Sequence, residues 1–197
     1  MSFKLGLTGS IGMGKSTTAQ MFADAGCAVW DADEAVHRLY APNGLAIVPV
    51  TELVPDALNG DILDREILRD AIRADTMLLS KIEKIVHPLV GQDRARFIEN
   101  ATADILVFDI PILFETSGNK AMDAVACVSV DADTQRTRVL ARGSMSEEDF
   151  QMILSRQMPI EEKCALSDYV IETNSLDHAL TQVVAIVEDI KRKLQNA

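Results

Sequence analysis

Between positions 9 and 17 the chain reads Gly9-Ser10-Ile11-Gly12-Met13-Gly14-Lys15-Ser16-Thr17, preceded by Phe3-Lys4-Leu5-Gly6-Leu7-Thr8 and followed by a helical pattern to Ala25. A short apolar strand that passes through a glycine-rich turn into a helix is a narrow structural instruction, and its spacing satisfies G-x-x-x-x-G-K-[ST] at every position. Gly9, Gly12 and Gly14 permit backbone conformations barred to a residue with a Cβ, so successive N–H groups can point at phosphate oxygens. The helix beginning near Lys15 adds the positive end of its dipole. Lys15 offers a mobile charge to the β- and γ-phosphates, and the Ser16 hydroxyl suits Mg2+. The expected ligand is a nucleoside triphosphate, held by Gly9, Gly12, Met13, Gly14, Lys15, Ser16 and Thr17; the alternative is a glycine-rich turn with an incidental Lys-Ser.

Such a ligand is a polyanion, whereas the 197-residue chain has a net charge of −11. That balance argues against a general nucleic-acid or anionic-membrane binder, because nonspecific phosphate affinity needs a positive field. Bound phosphates must instead meet a local cluster of positive groups. Cys27, Cys127 and Cys164 form no C-x-x-C pair and have no histidine at metal-ligand spacing, which fits reduced thiols. The strand and loop open the sequence with no room for a cleavable signal before them, and no apolar run reaches the roughly 18 residues of a membrane span. The expectation is a cytoplasmic protein with no obligate protein partner evident.

Strand-like runs recur at 3–8, 28–30, 105–108, 125–130 and 169–171, separated by helical patterns. This alternation predicts an α/β domain with a parallel sheet covered on both faces, its ligands beyond the carboxyl ends of the strands. About 34–103 reads as a helical excursion with no convincing strand, broken at Pro42, Pro49, Pro55, Asn59-Gly60 and His87-Pro88. About 133–158 reads as a smaller helical lid, broken at Arg142-Gly143-Ser144, and the last helix, 176–194, carries Leu180, Val183, Val184, Val187 and Ile190 as a core stripe.

Several side chains outside the loop suit phosphoryl chemistry. Ile105-Leu106-Val107-Phe108-Asp109 places a carboxylate at a strand tip, where it can help to hold Mg2+ or simply form a turn. Asp31-Ala32-Asp33 follows the second strand; one acid could accept a proton from an attacking hydroxyl while the other caps the next helix, or both could serve capping alone. Arg65, Arg69 and Arg73 share one helix face, as do Gln135, Arg138 and Arg142, and each set reads either as a phosphate-neutralising stripe or as a salt-bridged solvent face. His87, beside Pro88, either caps a helix or meets a substrate phosphate.

The motifs argue against a GTPase: Asn119-Lys120-Ala121-Met122-Asp123 has its acid one position late and precedes a strand, and no Asp-x-x-Gly occurs. The remaining elements are Asp31-Ala32-Asp33 with His37 and Leu39, Leu63-Asp64-Arg65 with Leu68-Arg69, His87-Pro88-Leu89, Asp109-Ile110-Pro111-Ile112-Leu113-Phe114-Glu115, Gln135-Arg136 with Arg138 and Arg142, and Arg156-Gln157-Met158 before Asp168. With the loop, and in this order, they resemble the dephospho-CoA kinases over nearly the whole chain.

The resemblance implies a three-layer P-loop kinase fold with a parallel sheet core, a helical substrate-binding insert and a lid. It implies ATP-dependent phosphorylation of the ribose 3′-hydroxyl of dephospho-CoA, with Mg2+ accompanying ATP. Asp33 then matches the base, Lys15 the phosphate clamp and Arg142 a lid arginine near the transferred phosphoryl group. Arg138 and Asn174 fall on the ATP side, Asn174 beside the adenine; Arg65, Arg69 and His87 fall in the acceptor region, and Ser16 and Asp109 at the metal. A nucleoside or nucleotide monophosphate kinase is the nearest alternative, and a nucleotide-dependent regulatory module without transfer is the alternative of a different class.

Overall fold

A computed structural model describes residues 2–143 and 145–196, so Ser144, part of the expected break in the lid, lies outside the described residues. The elements run β1 (Phe3–Gly9), α1 (Lys15–Asp24), β2 (Ala28–Asp31), α2 (Ala32–Tyr40), α3 (Ile47–Thr51), β3 (Leu58–Asn59), β4 (Ile62–Leu63), α4 (Arg65–Ala74) and α5 (Thr76–Asn100). They continue with β5 (Ile105–Asp109), β6 (Ala124–Ser129), α6 (Ala132–Ala141), α7 (Glu147–Arg156), α8 (Ile160–Ala165), β7 (Tyr169–Glu172) and α9 (Leu176–Gln195). The chain divides into two compact units, residues 31–100 and the remainder.

The larger unit is built on a five-stranded sheet in the order β2-β5-β1-β6-β7, with parallel pairing of β1 to β5, β1 to β6 and β6 to β7. All five strands sit where apolar runs predicted them; β1, β5 and β6 read as continuous hydrophobicity because a strand buried on both faces needs no alternation. Leu5, Leu7, Ile105, Val107, Ala124, Ala126 and Val128 line the face packed with Phe22 of α1 and Val183, Val187 and Ile190 of α9. Their neighbours point the other way: Phe108 meets Trp30, Val125 packs with Leu113 and Phe114, and Cys127 meets Cys164 of α8. The expected stripe on α9 is narrower than its sequence suggests, since Leu180 and Val184 remain 44% and 41% exposed. They lie beside the buried line rather than on it, 100° per residue being enough to turn them outward. At the sheet edge, Gln182 of α9 bonds both the N–H and the carbonyl of Glu172 at 3.0 Å, occupying backbone groups that another strand could pair with.

The smaller unit is helical around a core of Leu39, Val50, Leu63, Leu68, Leu78, Ile82 and Val86. Asp31 and Asp64 cap α2 and α4 by accepting the N–H groups of Asp33 and Glu34 (2.7 and 3.0 Å) and of Glu66 and Ile67 (2.9 and 3.2 Å). Arg38 of α2 grips Asp93 of α5 with two nitrogens at 3.1 and 2.6 Å. Two sequence expectations fail in this unit. The stretch expected to lack strands contains the β3-β4 hairpin, in which Asn59 pairs with Ile62 across Gly60-Asp61. Strands of two residues are too short to register as a period, and Asn59-Gly60 serves as a hairpin signal instead of a helix break. His87-Pro88 likewise does not separate two helices, because α5 runs through Pro88. Proline there removes one N–H donor from the helix, and the burial of Leu78, Ile82 and Val86 along one face offsets that loss. Among the described residues no helix is long and apolar enough to cross a membrane.

The close approach at the end of β1 is a test of this packing. Gly9 pairs with Val128, and a Cβ at Gly9 would lie 2.3 Å from Val128 Cγ2 and 3.0 Å from the Val128 carbonyl oxygen. Gly9→Ala is expected to destabilise the protein by about 1–3 kcal/mol in urea unfolding, the usual range for overpacking. Adding Val128→Ala should recover part of that loss, since it removes the atom met first.

Candidate active site

The first helical bond of α1 runs from the Thr18 N–H to the Gly14 carbonyl at 3.0 Å. The N–H groups of Lys15, Ser16 and Thr17 therefore have no partner inside the helix and are open to an anion. Ser16 and Thr17 are exposed. Lys15 Nζ pairs with Oδ1 of Asp109, a fully buried carboxylate that parallel register sets beside Leu7 of β1. The pair compensates a buried charge, and an ammonium with three donors still has two left for phosphate oxygens. The strand-tip acid and the loop lysine are thus brought together.

The loop is held from outside by side chains remote in sequence. Ile11 N–H donates to Gln157 Oε1 at 3.2 Å, and the Ile11 carbonyl accepts from Gln135 Nε2 at 2.7 Å. The Met13 carbonyl accepts from Thr173 Oγ1 at 2.9 Å, and Arg138 in turn donates to Thr173 Oγ1 and its carbonyl at 3.2 and 2.7 Å. Gly12, at φ 78°, passes so close to α6 that a Cβ would lie 2.4 Å from Val139 Cγ2. Beside the loop lies a cavity of about 510 Å³ lined by Gly12, Gly14, Thr17, Arg138, Arg142 and Asn174. Asn174 also borders a neighbouring cavity of about 470 Å³ with Met13 and Gln135. Arg138 and Arg142 line the first of these cavities together. Arg136 faces elsewhere, paired with Glu147 at 2.8 Å.

The same unit holds a cation that no sequence pattern announces. Lys163 of α8 is fully buried and donates to the Pro111 carbonyl at 2.8 Å and to Glu115 Oε1 at 2.9 Å. The Pro111 carbonyl also accepts from Thr8 Oγ1 at 3.1 Å, and Glu115 Oε1 accepts the Met158 N–H at 2.9 Å. Burial works to raise the Glu115 carboxyl, but the Lys163 ammonium and the Met158 N–H outweigh it and hold the group below its ordinary value.

The smaller unit carries Asp33 exposed in the first turn of α2, with Asp31 performing the capping. His37 Nε2 meets the Arg65 guanidinium at 2.7 Å; because arginine has no acceptor, the ring nitrogen accepts. The same guanidinium lies 6.0 Å from the Tyr40 ring centroid. Arg65 is therefore assembled with two side chains of α2, whereas Arg73 is paired with Asp70 at the surface at 3.3 Å. Arg69 and His87 are exposed on α4 and α5. The sequence assigns no role to Gln157, Thr173 or Lys163, and names His37 only as part of the resemblance. Gln157 and Thr173 are marked only once the backbone groups they meet are known, and Lys163 has no local mark at all.

Hard oxygen donors fit Mg2+ better than a softer metal, and Ser16 Oγ and the Asp109 carboxylate are of that kind. Among the described residues no group of three or more His, Cys, Asp or Glu could hold an ion alone. A cation at Ser16 and Asp109 would complete its shell with phosphate oxygens and water, as Mg2+ does.

A family model described as dephospho-CoA kinase matches residues 3–178. Dephospho-CoA kinases from Ruegeria pomeroyi and Cereibacter sphaeroides are 61% and 51% identical, over 97% and 96% of both chains respectively. A crystal structure from Thermus thermophilus superposes with a TM-score of 0.85 at 28% identity, covering 95% of this chain and 97% of the other. A dephospho-CoA kinase from Campylobacter jejuni gives a TM-score of 0.71 at 22% identity over 98% and 99%, a likeness of fold. An intact phosphate loop, a strand-tip carboxylate on its lysine and near full-length likeness lead to one conclusion: this chain belongs to the dephospho-CoA kinase family of transferases.

Proposed function

We propose that the protein transfers the γ-phosphoryl group of ATP to the ribose 3′-hydroxyl of dephospho-CoA, releasing CoA and ADP. The observation that carries this reading is the arrangement at the loop: N–H groups at the start of α1 without a helical partner, Lys15 on Asp109, and Arg138, Arg142 and Asn174 around the neighbouring cavity. Phosphoryl transfer needs little covalent chemistry from the protein; positioning and charge neutralisation supply most of the acceleration. Gly9, Gly12, Met13, Gly14 and Thr17 hold the phosphates through backbone and first-turn groups, and Lys15 follows the β- and γ-oxygens. Mg2+, accompanying ATP at Ser16 and Asp109, supplies charge neutralisation. Asn174 borders the adenine, and residues 133–158 act as a lid that carries Arg142 toward the transferred group.

The acceptor side belongs to the smaller unit in this reading. Asp31 is occupied with two backbone N–H groups, which leaves Asp33 as the acid of the pair available to orient and deprotonate a hydroxyl. Arg65, Arg69 and His87 are assigned to the acceptor, Arg65 through its ordered pairing with His37. Free thiols at Cys27, Cys127 and Cys164 accord with a cytoplasmic enzyme.

A coupled ADP-release assay decides the acceptor. Dephospho-CoA should stimulate turnover in the presence of Mg2+ and ATP, while nucleosides and nucleoside monophosphates should not; turnover with a nucleoside but none with dephospho-CoA would reverse the assignment. In the same assay Asp33→Asn should lower kcat by roughly 10²-fold or more while ATP affinity stays nearly unchanged. Wild-type turnover in that variant would eliminate Asp33 as the base.

A further inference from the structure

Lys163 contributes to neither cavity and has no place among the groups that meet ATP, yet it is a fully buried cation in the unit that holds the nucleotide site. Its two acceptors lead directly into that machinery. Pro111 lies two residues beyond Asp109, and its carbonyl is shared with Thr8, the residue before Gly9. Glu115, the other acceptor, binds the Met158 N–H; the preceding residue, Gln157, receives the Ile11 N–H of the phosphate loop. One ammonium therefore joins the entry of the loop, the strand tip that bears the Lys15 partner, and the segment that bears the loop's outer support.

We propose that Lys163 is a positioning residue for phosphoryl transfer, holding Asp109 and the phosphate loop in register through Pro111, Thr8 and Glu115 without touching either substrate. A buried ion pair can be replaced as a whole by apolar side chains of similar volume with little loss, although removing Lys163 alone leaves Glu115 and the Pro111 carbonyl without their donor and destabilises. What apolar packing cannot replace is a fixed cation whose three donors bridge a carbonyl and a carboxylate from different segments. A misplacement of about 1 Å in reacting groups costs on the order of 10²-fold in rate, so geometry is where its removal should register. The proposal rests on the kinase reading above.

The test compares Lys163→Met, Glu115→Gln and the double variant with wild type, using ADP release at saturating Mg2+ and ATP, well below each variant's unfolding midpoint. Lys163→Met should lower kcat roughly 10- to 100-fold while KM for dephospho-CoA stays within about twofold. Glu115→Gln, which keeps the volume and the Pro111 contact, should lower kcat several-fold, and the double variant should lose no more than Lys163→Met alone. A folded Lys163→Met with kcat within twofold of wild type, or with losses confined to KM for the acceptor, overturns the proposal. If Lys163→Met does not fold, Glu115→Gln decides: unchanged kcat in that folded variant overturns it equally. Ratios are taken on whichever acceptor wild type turns over, so an inert wild type with dephospho-CoA counts against the acceptor assignment only.

Discussion

The shape of the phosphate loop depends on hydrogen bonds that its backbone makes to side chains remote in sequence. Gln135 and Gln157 bond the two sides of Ile11, and Thr173 takes the Met13 carbonyl. Without those bonds the loop's polar backbone would turn toward whatever partner it found, and a buried polar group left unpaired is costly. The pairing of Lys15 with Asp109 depends in turn on parallel register, which sets Leu7 opposite Asp109 and brings the two groups to the same end of adjacent strands. Sheet, loop and charge are thus one arrangement.

The acidic balance of the chain makes local positive charge the requirement of the proposed site. With a net charge of −11, the protein offers polyanions no general attraction, and in the proposed reading Lys15, Arg138 and Arg142 supply the positive charge that phosphates need. Arg138 is doubly employed, since it also fixes Thr173 and through it the loop. A guanidinium supplies five donors in a rigid fork, so structural and ligand bonds need not compete.

Most of the sheet was legible because its strands are buried on both faces and read as unbroken apolar runs. The loop was legible because its chemistry is local: glycines, a lysine and a hydroxyl within nine consecutive positions. The capping of α2 by Asp31 was one of two readings left open, and local geometry decided it. The hairpin at Leu58 to Leu63 and the continuation of α5 through Pro88 were misread, the first because its strands are too short to show a period, the second because core burial overrode a local helix breaker.

The sequence alone determined the phosphate-loop pattern, the parallel α/β core and the family likeness, all of which rest on neighbours in the chain or on hydrophobic periodicity. Only the tertiary structure decided which side chains hold the loop: Gln157 meets Ile11 across 146 positions and Thr173 meets Met13 across 160. It alone placed Lys163 beneath Pro111 and Glu115. Contacts of that kind leave no periodic or motif signal, because a hydrogen bond constrains two atoms in space and says nothing about how far apart along the chain their residues must lie.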